Sequence, residues 1–194
     1  MVERLASINN HFGSVSNYNG RQVGPKRDDD VVIIGMSRTA MTKAKRGNQR
    51  NTPLDDMLKP CLEAVIKQSG VDPKKIEEVI IGNVLAPGAA VAHTRLSMFL
   101  AGIPETTACQ SINRLCSSGL QSVATIANAI KAGDIEIGIG GGFESMSNYD
   151  MKTGMYSDFV SKKIWTNEGA KACRLRMGIT SENVSAKFGV TRET

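Results

Sequence analysis

The stretch TACQSINRLCSSGLQSVATIANAIKAGDIEIGIGGG, Thr107–Gly142, changes its apolar period twice, and that change decides the fold class. TACQSIN reads as a short strand. In SSGLQSVATIANAIKAGD, Leu120, Val123, Ile126, Ala127 and Ile130 share one helical face, and Gly133 marks the exit. IEIGIGGG reads as a strand running into glycines. A strand, a helix and a strand in so short a span imply a parallel crossover unit.

The same alternation extends upstream. VVIIGMS, Val31–Ser37, is a continuous β-branched run ending near a glycine, which predicts a fully buried strand. TPLDDMLKPCLEAVIKQSG predicts a helix with Thr52 as N-cap, Pro53 at its first position, acids in the first turn and Gly70 past its end. Pro60 is a potential kink. EEVIIGNVL predicts a second buried strand, and HTRLSMFLAGI a shorter helix ending near Gly102. The order β-α-β-α-β-α-β implies a layered α/β domain over residues 30–145, with ligands expected at the carboxyl ends of its strands.

Residues 1–29 and 146–194 break the alternation. The first segment is polar and reads as a leader. Inside it, RLASINNHF places Leu5, Ile8 and Phe12 at helical spacing, beside Arg4 and His11. The second is polar and methionine-containing, with helical patches. TSENVSAKFG carries a capping signal at Thr180 or Ser181. It reads as the start of a further subdomain.

Cys116 falls at the junction of a predicted strand and a helix N-terminus, followed by Ser117, Ser118 and Gly119. The first amides of a helix lack internal partners, and the macrodipole stabilises negative charge there. A thiolate nucleophile is favoured in that setting, and the same amides can donate to an oxyanion. Free cysteine is also a common small core residue. On the residues alone, both readings stay open for Cys116. Cys61 and Cys109 lie inside predicted elements and read as packing, and Cys173 carries no assigned role. Of the two histidines, His11 is in the leader, and a Cys116–His93 dyad is the weaker alternative to a lone structural histidine. GIGGGF, Gly138–Phe143, follows a strand but lacks the third glycine of a dinucleotide fingerprint. Close backbone packing explains it better.

Composition narrows the classes further. The 194 residues carry a formal charge of +5, part of it in KAKRGNQR (Lys43, Lys45, Arg46, Arg50). A solvated loop is the preferred reading of that cluster over a phosphate contact. Aromatic residues are scarce and no nucleic-acid motif accompanies the basic ones, so nucleic acid is not an expected partner. No apolar run approaches the roughly 20 residues of a membrane span. Four widely spaced cysteines without C-x-x-C make zinc and a disulfide framework poor expectations, so no metal is expected.

These residues resemble the thiolase family. NRLCSSGLQS resembles its acyl-enzyme signature N-x-x-C-x-S-G-x-Q, IGIGGGFESMS its G-G-x-E-S-M-S segment, and MGITSENVSAKFGVTRE part of its loop domain. RTAMTK, GNVL and AGIPETT fit in order. The resemblance implies a thiolase-like α/β/α domain and thiolytic cleavage of a 3-ketoacyl-CoA through an acyl thioester on Cys116, with Ser117, Ser118 and Gly119 supporting the helix N-terminus. CoA and acyl-CoA are then substrates, and no resident cofactor is expected. In front of such a body, RLASINNHF is similar to the peroxisomal signal R/K-L-x5-H/Q-L/F through Arg4, Leu5, His11 and Phe12. That implies a peroxisomal location and an import receptor as partner, and the family implies a homodimer. The family's remaining catalytic groups, in its N-E-A-F, G-H-P and C-x-G-x-G motifs, belong to its C-terminal half and are not in this chain, nor is the fifth strand of the N-terminal domain, which follows the loop domain. The expectation is therefore an amino-terminal half, inactive alone. The alternatives are a non-catalytic product binding CoA or a thiolase partner, and a ketosynthase or hydroxymethylglutaryl-CoA synthase on the same fold. AHTR (Ala92–Arg95) stands where relatives read E-H-R, and Arg176 stands where a proline is usual.

Overall fold

The structure, a computed structural model, describes residues 27–154 and 160–193. Its centre is a three-stranded parallel sheet of β1 (Glu78–Gly82), β2 (Ala108–Ile112) and β3 (Gly138–Gly142), in the order β2-β1-β3. Glu78 aligns with Ala108 on one side and Gly138 on the other; Gly82 aligns with Ile112 and Gly142. Three longer helices join and flank the strands: α1 (Leu54–Ser69), α2 (Val91–Leu100) and α3 (Ser118–Ala132).

The period of two along β1 divides the packing. Val79 and Ile81 face the main core, where they meet Leu58 and Leu62 of α1, Met98 of α2 and Ile103. On the other face, beside fully buried Ile80, Gly82, Gly138, Gly140 and Gly142 let α3 lie close to the strands. A Cβ built on Gly82 would sit 2.4 Å from the Ser118 carbonyl carbon, and one on Gly140 would sit 2.7 Å from the Val123 Cα. The glycine run is thus a close-packing device, as the sequence suggested.

The same contact corrects the predicted face of α3. Ser118, Ser122 and Ile126 are its buried row, whereas Leu120 is 74% exposed. Small residues turn inward because the helix backbone lies nearly on the strands. Apolar periodicity located the helix, but of the five residues on its predicted face only Ile126 lies in the buried row.

Val31–Ser37 forms no strand. Val32 and Ile33 are 69% and 71% exposed, and the Met36 amide donates to Gln68 Oε1 rather than to a ladder. A cleft of about 310 Å³, lined by this segment and by Ile137–Gly140, separates it from β3. A β-branched run becomes a strand only where a neighbouring edge lies within hydrogen-bonding reach.

Helix ends also refine the expectations. α1 starts at Leu54 with Pro53, not Thr52, at its cap, and runs through Pro60 as one helix. It ends on Gly70 in the left-handed region, at φ 68°. Asp55 and Asp56 occupy its first turn as expected. After β3 come the short α4 (Met151–Gly154) and α5 (Glu168–Ala172), then α6 (Met177–Phe188). Thr180 and Ser181 lie inside α6, whose cap is Arg176, so the predicted capping signal is overturned: the Thr180 hydroxyl donates back to the Arg176 carbonyl. Arg4, Leu5, His11 and Phe12 lie outside the described residues. No described helix is long and apolar enough to cross a membrane.

Candidate active site

Three strand ends converge on Cys116. β2 ends at Ile112, and the chain reaches α3 through a set of local hydrogen bonds rather than a simple cap. The Ser118 hydroxyl accepts from the Arg114 amide (2.8 Å) and donates to the Leu115 carbonyl (2.6 Å). The Ser117 hydroxyl donates to the Arg114 carbonyl (2.8 Å). The Arg114 guanidinium is held by Gln121 Oε1. Leu115, directly before the cysteine, has φ 50°, a left-handed conformation unfavourable for a branched side chain. Cys116 itself is exposed, two residues ahead of the first residue of α3.

This arrangement redistributes the roles expected of the small residues. The Ser117 amide donates to Arg114 O (3.3 Å) and the Ser118 amide to Leu115 O (3.0 Å), so both are occupied within the turn. Among the described residues, the Gly119 and Leu120 amides meet no protein acceptor. They are the donors left at the helix start. Gly119 keeps its place for a second reason: its backbone packs against Gly142.

The floor of the site is a network that sequence reasoning missed. Asn83 is buried; its side-chain amide donates to Phe143 O (2.8 Å) and Glu144 Oε1 (3.2 Å), while its Oδ1 accepts from the Ala86 amide (2.9 Å). Glu144 Oε2 accepts from the Val84 and Leu85 amides at 2.9 and 3.3 Å. Asn113 Nδ2 donates to the Val84 carbonyl (3.0 Å), and its Oδ1 accepts from the Leu115 amide (3.0 Å). The sequence hinted at it only through letters in quoted motifs, Asn113, Glu144 and the Asn83 of GNVL.

Cys116 opens on a cleft of about 840 Å³, whose walls include Gly82–Leu85, Gly140–Ser147 and the apolar side chains of Met57, Leu58 and Leu62. His93 does not join it. Its Nδ1 pairs with Asp55 Oδ1 at 3.3 Å between α2 and α1, so the Cys116–His93 dyad is replaced by a helix–helix contact. No histidine or carboxylate hydrogen-bonds the Cys116 sulfur among the described residues. None of the four cysteines is in a disulfide. Cys109 packs beside the core, and burial pushes its thiol up, with Arg95 partly opposing. In the basic loop, Lys45 pairs with Asp150 at 3.4 Å, both side chains partly exposed. No metal-binding cluster of His, Cys, Asp or Glu occurs among the described residues.

A thiol ahead of an open helix start, at the carboxyl end of a parallel sheet, is an arrangement that can support nucleophilic acyl transfer. The family profile described as "Thiolase, N-terminal domain" matches residues 31–194, and the chain belongs to the thiolase family. It is 48% identical over 168 residues to the peroxisomal 3-ketoacyl-CoA thiolase of Yarrowia lipolytica, covering 87% of this chain and 40% of that protein. It is 46% identical over 166 residues to peroxisomal 3-ketoacyl-CoA thiolase 2 of Arabidopsis thaliana, covering 85% and 35%. The chain thus spans well under half the length of these curated relatives. Its structure resembles the dimeric peroxisomal thiolase of Saccharomyces cerevisiae, with a TM-score of 0.79 and 40% identity, covering 87% of this chain and 44% of that one. The Bacillus anthracis acetyl-CoA acetyltransferase aligns with a TM-score of 0.68 and 27% identity, over 84% and 43%.

Proposed function

We propose that this chain carries the nucleophile of a 3-ketoacyl-CoA thiolase reaction, and that Cys116 is that nucleophile. The observation that carries the reading is an exposed thiol immediately ahead of a helix whose Gly119 and Leu120 amides are free to donate. The Cys116 thiolate attacks the 3-keto carbon, and the carbonyl oxygen takes the negative charge. The C2–C3 bond then breaks. Its electron pair leaves with acetyl-CoA as an enolate, which takes up a proton, and the shortened acyl group remains as a thioester on Cys116. The thiolate of a second CoA attacks that thioester, releases acyl-CoA and regenerates the cysteine. CoA and acyl-CoA are substrates here.

His93 is tied to Asp55, and the Glu144 carboxylate in the cleft wall is already engaged by the Val84 and Leu85 amides and the Asn83 side chain. The 194-residue polypeptide by itself is therefore expected to show no turnover. Measurable thiolysis by it would overturn this. The curated relatives named above are peroxisomal, and RLASINNHF fits the matching address, so import by a receptor into the peroxisome is part of the reading. The yeast thiolase is dimeric, and homodimerisation of the whole protein is proposed on that basis.

The test is covalent. The purified protein is incubated with an acyl-CoA and the adduct mapped by mass spectrometry. Acyl mass is expected on Cys116 and none after Cys116→Ala; an adduct that survives that substitution, or that maps only to Cys173, sinks the assignment.

A further inference from the structure

We infer that Asn113 is a positioning residue for Cys116, tying the strained turn at Leu115 to the end of the neighbouring strand β1. This rests on the proposed role of Cys116 and adds the residue that places it.

Leu115 sits at φ 50°, where a leucine does not stay without support from its surroundings. Its peptide is gripped on both sides. The carbonyl accepts from the Ser118 hydroxyl, which belongs to the helix the cysteine leads into. The amide donates to Asn113 Oδ1 at 3.0 Å. Ser118 ties the turn to its own helix, whereas Asn113 ties it to something outside: its Nδ2 donates to the Val84 carbonyl at 3.0 Å.

Val84 is a firm anchor because its own amide donates to Glu144 Oε2 at 2.9 Å, and Glu144 follows β3. The carboxylate is fixed by two further donors, the Leu85 amide and the Asn83 side chain, at 3.3 and 3.2 Å. The path therefore runs from Glu144 after β3, through the Val84 peptide after β1, through Asn113 after β2, to the residue before the thiol. Each link is one hydrogen bond of ordinary length. Asparagine suits the middle position because one planar amide both donates and accepts.

If Asn113 acts by holding that conformation, a glycine at position 115 removes the need for it, since glycine adopts positive φ at no steric cost. That gives a readout which general loosening of the fold would not produce. The purified protein is treated with iodoacetamide, and the rate of labelling at each cysteine is followed by peptide mapping. Exposed Cys173 and half-buried Cys61 and Cys109 serve as references in the same sample. Asn113→Ala is expected to slow Cys116 labelling roughly five- to tenfold, the scale of one lost neutral hydrogen bond. The three reference rates stay unchanged. Adding Leu115→Gly to Asn113→Ala is expected to restore the rate.

An unchanged Cys116 rate in Asn113→Ala overturns the inference, and so does a double variant as slow as the single one. Where Asn113→Ala opens the whole fold, seen as faster labelling of Cys61 and Cys109, Leu115→Gly is compared with Leu115→Gly/Asn113→Ala. Equal Cys116 rates support the strain-holding role, and a further loss in the double variant refutes it. The acyl-adduct experiment separates the two claims. An adduct on the unaltered protein, with unchanged Asn113→Ala labelling, removes Asn113 and keeps the nucleophile. No adduct, with slowed Asn113→Ala labelling, removes the nucleophile and keeps the placement.

Discussion

Cys109 and Cys116 lie seven positions apart along the chain and meet opposite environments. Cys109 is in β2, packed beside the core cluster, and burial raises its thiol above the ordinary range while Arg95 partly offsets the shift. A raised acid has a stability consequence with a definite sign. While both folded and unfolded thiols stay protonated, Cys109 contributes no pH dependence. Above the unfolded value, about 8.5, the unfolded chain ionises first and gains population, so stability falls as pH rises through that value toward the folded one. Denaturant melts between pH 7 and pH 10 are expected to show that loss, and Cys109→Ala should flatten it. An equal slope in the variant would assign the loss to other groups. Cys116 was legible as a candidate because its neighbours, not its type, distinguish it: Ser117, Ser118 and Gly119 announce a helix start. Asn113 and Glu144 were visible only as letters in motifs. Their function depends on three strand ends meeting, and no local pattern reports that.

Between helix and sheet, the decisive contact is α3 lying on glycine. Gly82, Gly140 and Gly142 leave no room for a methyl group: added Cβ atoms would meet backbone at 2.4, 2.7 and 3.0 Å. Backbone cannot rotate out of the way as a side chain can. Gly140→Ala is thus expected to destabilise by about 1–3 kcal/mol or more, the range for overpacking a dense interior. A change in thermal midpoint of less than a degree would show that the helix can lift without cost. Gly82→Ala presses on Ser118 and should also disturb Cys116, whereas Gly140→Ala presses one turn later, on Val123. Cys116 labelling should therefore fall more in the first variant than in the second. The alternation of strands and helices was legible because it rests on local periodicity and on terminal signals such as Gly70 and Gly133, both found in left-handed caps. The inward stripe of α3 was not. It depends on the absence of side chains across the interface, which inverts the usual rule that large apolar residues face the sheet.

At the scale of the whole molecule, one consecutive run of exposed apolar side chains lies where the chain is extended and unpaired. Val32, Ile33, Ile34 and Met36 are all exposed, and β3 closes one side of the sheet with no strand beyond it among the described residues. The sequence announced this run as strand, and its chemistry remains that of a strand: uncharged, β-branched and free of proline from Val31 to Gly35. What the sequence could not supply was a partner edge. Such a segment beside an open edge is prone to pair with another chain. The flanking charges, Asp28–Asp30 before it and Arg38 after it, act against this by repulsion between like-charged copies. The 194-residue polypeptide is therefore expected to self-associate as concentration rises from micromolar to hundreds of micromolar, with sedimentation velocity showing growing species. Ile33→Lys places a charge in the middle of the run and removes little buried surface, because Ile33 is already mostly exposed. It should shift the distribution back toward monomer with the thermal midpoint unchanged. A single monomeric boundary for the unaltered chain across that range would mean that the extended segment is protected by its own surroundings, and that its exposure carries no tendency to pair.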